Sequence, residues 1–438
     1  MDPNPAFLQT RVLKLFGFFP LSFDRKSGGP HGSRCVLQSF LTCLGACLLL
    51  GNCACCCLQF VWTVAILLIE NGGNFLLKLF VVLPLLTDSA RPFLVLFIVF
   101  TQRRRLQTFY RKVADFVTTA FPDLIVRRRL LRRWRLYSVC LFVVTQTLQQ
   151  GTFFWSQQVV FSISPSMNFT TDNALSPFQT KLTVWKMSLI WFLFPITNSI
   201  LSQQVMVLVM VLSLALSESL RSLNSTIKAA KEDCLVVFGK NWNDFTEELT
   251  GWKKRNWDAL AFCELLNDHF SMILFIIYGL NFATILGYAA NIVVNLRPAW
   301  DSYLFYGLAC LEYSLFNTVL FIPLVRVYEE SLEVSSNMQQ LINSSEEYLQ
   351  DTKQGRVLLN SMVRFESASR HRVCLFSGAK LLYFSRGFII GTCTLALSLF
   401  VVAKEMLDSE LRGNSNAGSH VINSIYQASV IAKSNSTL

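Results

Sequence analysis

A chain of 438 residues that is 52% hydrophobic and 15% charged is too apolar for a soluble protein, which carries about a quarter charged residues. The formal charge of +11 does not point to nucleic acid, because the basic residues flank apolar runs, where membrane topology accounts for them.

In chain order, the apolar runs are 36–69, 75–101, 136–160, 183–215, 270–296, 303–325 and 387–406. Each is long enough to cross ~30 Å of hydrocarbon as a helix, and none shows the alternation of a barrel strand. The predicted fold is therefore an all-α integral membrane protein of seven transmembrane helices. The first 35 residues are mixed and polar, and the run after them is too long for a signal-peptide core, so the first span is expected to act as the insertion signal. That span is long enough to protrude or to break near Gly51–Asn52. The second carries Pro84 and Pro92, which a span tolerates when neighbours satisfy the freed backbone.

Lysine and arginine set the orientation. With the N-terminus inside, the cytoplasmic segments 1–35, 102–135, 216–269 and 326–386 hold 31 of the 39 basic residues, so the positive-inside rule predicts a cytoplasmic N-terminus and an extracellular C-terminus. The decisive loop runs from Arg103-Arg104-Arg105 to Arg127-Arg128-Arg129 and Arg132-Arg133. The sequons at Asn168 and Asn435 fall outside and are expected glycosylation sites, whereas those at Asn224 and Asn343 fall inside. Of 13 cysteines none lies in an external segment, so no structural disulfide is expected. The cluster Cys53, Cys55, Cys56 and Cys57 lacks histidine or carboxylate neighbours and reads as helix packing. Trp252, Trp257, Leu260, Leu265 and Leu266, and the stretch from Met338 to Leu359, recur at helical spacing, which predicts helices extended into the cytosol. The domain plan is a cytoplasmic N-terminal segment (1–35), six spans (36–326), cytoplasmic anchor helices (327–386), a seventh span (387–406) and an external tail (407–438).

Enzyme chemistry finds no footing. There are four histidines, and no HExxH, GxSxG or phosphate-binding GxxxxGK[ST] motif. Neither a metal site nor a cofactor is expected. Ionisable residues inside spans mark function by default. Asp88 and Arg91, three apart in the second span, read first as a structural pair, with a ligand contact as the alternative. Glu312 in the sixth span is either a ligand or ion contact or a protonated, hydrogen-bonded acid. The outer halves of spans three to six are rich in aromatic and amide side chains, among them Trp155, Trp191, Tyr288, Asn291, Tyr306 and Tyr313. Some belong to an interfacial belt, but such a lining also suits a small-molecule pocket.

Three elements resemble the insect gustatory receptor family, within the arthropod odorant and gustatory chemoreceptor superfamily. Leu15-Phe16-Gly17-Phe18-Phe19-Pro20 is similar to its N-terminal Phe-Gly-x-x-Pro element, and WDALAFCELLNDHF (257–270) to its Leu-Cys pattern entering the fifth span. The segment Phe384-Ser385-Arg386-Gly387-Phe388 leads into a last span where Ser398-Leu399, five residues and Glu405-Met406 keep the spacing of the family's terminal Thr-Tyr, five hydrophobics and Gln-Phe. The resemblance implies a ligand-gated, non-selective cation channel at the plasma membrane, assembled as a homo- or heterotetramer of related subunits and opened by a small-molecule tastant or odorant. It places the ligand pocket in the outer half of the bundle and makes the seventh span line the pore. Ser398, Val402 and Met406 then share one pore face, with Val402 and Met406 at the gate, while Glu405 stands in place of the family Gln and Lys404 in place of a hydrophobic residue. The competing readings are a small-solute transporter, against which the absence of an internal repeat counts, and a G-protein-coupled receptor, which would put the most basic loop outside. Besides the ligand, the partner expected is membrane lipid.

Overall fold

The computed structural model describes residues 7–18, 31–69, 75–163, 181–232, 242–294, 300–402 and 404–405, with side chains from 148 to 199 among those outside the description. Ten helices occur among these residues. They are α1 (Phe7–Leu15), α2 (His31–Ile69), α3 (Phe75–Thr101), α4 (Arg103–Ala120), α5 (Leu124–Ile163), α6 (Lys181–Glu232), α7 (Trp242–Val294), α8 (Trp300–Gln350), α9 (Lys353–His371) and α10 (Arg386–Val402). A two-stranded antiparallel hairpin, β1 (Ser377–Gly378) and β2 (Leu382–Tyr383), precedes α10. By length and composition Val36–Leu58, Ile200–Glu232, Asp244–Ile292 and Tyr306–Gln350 are long and apolar enough to cross a membrane, and Ala90–Thr101 and Arg386–Val402 are shorter apolar helices.

The helices differ in where their apolar surface goes. In α6 every side chain from 201 to 212 is buried, as a helix apolar all round must be when it forms the centre of a bundle. In α2 the apolar window is 17% buried, against 89% in α6, which puts α2 on the periphery. Packing concentrates on α6 against α8, α3 against α7, and α9 against α8. At the end carrying the basic segments, α4 adds Leu106, Phe109, Val113, Phe116 and Val117 to the core at helical spacing. There Phe116 stacks on Phe262 of α7 with ring centroids 4.0 Å apart.

Several local outcomes differ from the sequence expectation. Helix α2 runs unbroken through Gly51 and Asn52. The arginine-rich loop is two helices, because arginine is a good helix former and Asp123 caps α5, its carboxylate accepting from the Ile125 N–H at 2.8 Å. The periodic stretch from Met338 to Leu359 is broken at 351–352, where the Thr352 hydroxyl accepts from the Gly355 N–H at 3.0 Å and starts α9. The hairpin was not foreseen, since its turn uses Ala379 and Lys380 at positive φ rather than the usual glycine or asparagine.

The N-terminal Phe-Gly element has a definite structural task. The Phe18 N–H donates to the Leu13 carbonyl and the Gly17 N–H to that of Lys14, a Schellman end that needs a left-handed residue. Gly17 supplies it at φ +76, and a Cβ there would lie 1.7 Å from the Leu41 carbonyl oxygen. Glycine therefore both ends α1 and lets it lie directly on α2.

Candidate functional site

Within the apolar runs of α3, α7 and α8, a set of polar side chains is turned inward. A buried polar group inside a hydrocarbon-spanning bundle costs several kcal/mol unless hydrogen-bonded, and here the groups are joined to one another. Arg91 of α3 is 6% exposed and donates to Asn281 Oδ1 of α7 at 2.6 Å and to the Tyr313 hydroxyl of α8 at 3.3 Å. Its guanidinium also lies 4.9 Å from the centroid of the Tyr313 ring, a cation–π contact strengthened by desolvation. Asn281 Nδ2 passes the chain on to Asn317 Oδ1 of α8 at 2.9 Å. One turn along, Thr284 donates to Thr87 Oγ1 at 2.7 Å, and Thr87 to the Leu83 and Pro84 carbonyls.

Above this network stands an aromatic wall. Tyr288 of α7 lies 6.0 Å from Tyr313 and 6.2 Å from Tyr306 of α8, centroid to centroid. Asn291 is buried and donates to the Gly287 carbonyl at 2.9 Å, and Glu312 is 5% exposed. Arg91, Tyr288, Tyr306 and Tyr313, singled out from separate positions in the sequence, thus meet along one seam between α3, α7 and α8, while Asn291 and Glu312 are buried on α7 and α8. The seam presents hydroxyl, amide and guanidinium donors beside aromatic faces, which is the chemistry that orients a small polar or aromatic molecule.

Other expected residues fall elsewhere. Trp155 and Trp191 are carried by α5 and α6, but their side chains lie outside the described residues, as does that of Asp88, the other half of the expected charge pair. Met406, Asn168 and Asn435 also lie outside. Ser398 and Val402 occupy the exposed side of α10, and Glu405 is exposed just beyond it. Asn224, by contrast, is 2% exposed and donates to the Glu330 backbone at 2.8 Å while accepting from Asn337, which leaves no access for a glycan. Among the described residues no group of three potential metal ligands occurs.

Asn281, Asn317, Thr87 and Thr284 were missed. The signal was present: Asn281, Thr284, Tyr288 and Asn291 repeat at three, four and three along an otherwise apolar helix, a polar stripe on one face.

The base of α10 is built with equal care. Phe384 and Phe388 enclose Tyr278 of α7 and Phe321 of α8, with Phe321 to Phe384 at 4.7 Å and Tyr278 to Phe388 at 5.0 Å. Arg386 pairs with Glu329 of α8, its Nη2 donating at 2.9 Å. Asn267 of α7 clasps the strand before it, donating to the Leu375 carbonyl at 2.8 Å and accepting from the Ser377 N–H at 3.0 Å.

The chain is thus an apolar helical bundle with an inward-facing polar and aromatic seam and a last described helix, α10, held at its base. The chain belongs to the 7tm Chemosensory receptor family, whose sequence pattern it matches over residues 7–358. Its fold is that of the insect olfactory receptor OR5 from Machilis hrabei. The structure of that receptor in complex with eugenol superposes with a TM-score of 0.63 at 13% identity, covering 91% of this chain and 97% of the other. A second structure of OR5 gives 0.58 at 12% identity, covering 91% and 96%. No curated protein sequence matches the chain.

Proposed function

We propose that this chain is a gustatory-type chemoreceptor, a subunit of a ligand-gated, non-selective cation channel of the plasma membrane. In this reading seven spans run from a cytoplasmic N-terminus to an extracellular C-terminus, four homologous or identical subunits surround one pore lined by α10, and a small-molecule tastant occupies the seam between α3, α7 and α8. The observation that carries the reading is that seam: Arg91, Asn281, Asn317 and Tyr313 hydrogen-bonded across three apolar helices, beside the Tyr288–Tyr306 wall. Eugenol, the ligand in the OR5 complex, is a small aromatic phenol, and tyrosine and amide side chains suit an aromatic ligand that carries polar groups.

The test is expression in a non-neuronal cell with calcium imaging against sugars, alkaloids and volatile panels. A responding ligand is expected to evoke calcium entry, and replacing Tyr288 or Tyr306 by alanine to shift its potency about tenfold or more, the effect of removing one aromatic wall, with surface expression retained. Loss of expression alone would mark both as packing residues. Epitope tags check the topology: a C-terminal tag should label on intact cells and an N-terminal tag only after permeabilisation.

A further inference from the structure

A second feature has no part in that seam. Between α5, α6 and α8 lies a groove of about 450 Å³ whose walls include Leu141, Val144, Leu214 and Val319 and whose rim carries Arg133, Glu218 and Arg326. The three charges come from three helices yet stand at one level. Arg133 precedes the apolar run of α5, Glu218 follows that of α6 and Arg326 follows that of α8. All three mark the end of the bundle where the basic segments gather. The walls, by contrast, lie within the apolar runs. The groove also opens sideways: Val144 is 50% exposed and Tyr137 46% exposed, and both arginines are exposed. Arg133 is held upright by Tyr137, its Nη2 donating to the phenol oxygen at 3.3 Å and its guanidinium lying 5.4 Å from the ring centroid.

A slot with an apolar length, a cationic rim and an opening to the bilayer fits an amphiphile lying parallel to the helices. We propose that it binds an anionic phospholipid of the leaflet at the basic end, which is the cytoplasmic leaflet in the orientation given above. The phosphate sits between Arg133 and Arg326, where guanidinium geometry suits phosphate oxygens. One acyl chain lies on Leu141, Val144, Leu214 and Val319. Two arginines against one glutamate leave a net positive rim, so an acidic headgroup is preferred over a zwitterionic one.

The full-length receptor is reconstituted in nanodiscs of phosphatidylcholine mixed with phosphatidylserine, and lipid retained after extraction is counted by native mass spectrometry. Wild type should retain phosphatidylserine preferentially, and R133Q/R326Q should lose that preference by about tenfold or more, since each arginine near an anionic surface contributes about 1 kcal/mol. Glu218→Gln should raise the preference, a change of opposite sign that a folding defect does not produce. Val144→Trp, with both arginines intact, should lower retention of either lipid. Cys140, which lines the groove, gives an independent footprint: its alkylation should be slower in discs containing phosphatidylserine than in phosphatidylcholine alone, for wild type and not for R133Q/R326Q. The proposal is overturned by equal retention of the two lipids in wild type, by an unchanged preference in the double variant, or by displacement with inorganic phosphate, which would indicate a site for small anions. Protection of Cys140 in lipid-depleted detergent would overturn it too, because another copy of the chain would then cover the groove.

Discussion

Arg91 shows how a charge can be kept inside an apolar bundle. Its guanidinium is bonded to a neutral amide and a phenol rather than left to hydrocarbon, and charge-assisted bonds of this kind contribute about 1.5–3 kcal/mol each. Removing the amide alone should therefore be worse than removing both partners. Asn281→Leu is expected to lower the stability of detergent-purified receptor by about 2–3 kcal/mol, and the double variant Arg91→Met/Asn281→Leu to recover part of that loss. Thermal unfolding followed by fluorescence-detected size exclusion measures both, and a double variant no better than Asn281→Leu would mean that the arginine is not confined by its amide partner. This residue-level picture was half legible. Arg91, Tyr288, Asn291, Tyr306, Glu312 and Tyr313 stand out in sequence because charge and aromatic girth are conspicuous in apolar runs. Asn281, Asn317 and the two threonines do not, since single amides and hydroxyls are tolerated in membrane helices and gain meaning only from what faces them. Sequence spacing sets Asp88 beside Arg91, and the side chain of Asp88 lies outside the described residues; the partners described for Arg91 come from other helices, 190 and 222 positions away.

Among the elements, the connection from α9 to α10 is anchored in the core by aromatic packing. Phe384 is fully buried between Tyr278 and Phe321, so Phe384→Ala should cost about 3–5 kcal/mol and reduce surface expression sharply. The Arg386–Glu329 pair is largely solvated, with the arginine side chain 77% exposed, and is worth about 1 kcal/mol or less. Arg386→Glu should leave expression nearly unchanged while Glu329→Arg/Arg386→Glu restores any shift in ligand response, because the pair tethers the helix more than it stabilises the fold. An expression loss in Arg386→Glu as large as that of Phe384→Ala would reverse this ranking. Helices were readable in the sequence wherever apolar residues recurred at helical spacing. The hairpin was invisible for a physical reason: Ala379 and Lys380 adopt left-handed backbone angles that neither prefers, and tertiary contacts hold them there, with the Ala379 N–H donating to the Ser271 carbonyl of α7 at 3.0 Å. Trp257, one of the residues recurring at helical spacing, lies on α7 half exposed, with Arg372 5.0 Å from its ring centroid.

At the scale of the whole molecule, α10 is the helix whose environment a single chain leaves unfinished. Phe388, Ile389, Thr392, Ala396 and Leu399 are partly buried, while Gly391, Leu395, Ser398 and Val402 are exposed along the other side. The i, i+4 relation aims Ser398 and Val402 in one direction, and Met406, outside the described residues, is the next member of that series in sequence. In the proposed fourfold assembly that series faces the axis, and rings of Val402 and Met406 close the pore by excluding water. Glu405 is exposed, and in that proposed assembly four copies of its carboxylate near the mouth would raise the local cation concentration. In that proposed assembly Lys404, one step around the helix from Glu405, would turn toward a neighbouring subunit rather than toward permeant ions. Val402→Ser or Met406→Ser should then produce current without ligand in whole-cell recordings, because a polar ring stays wet. Glu405→Gln should reduce the preference for cations, seen as a shift of reversal potential in asymmetric salt, without abolishing conduction. If a receptor that still responds to ligand shows neither leak nor altered selectivity in these variants, α10 does not line the pore, and its exposed side must be covered by lipid instead.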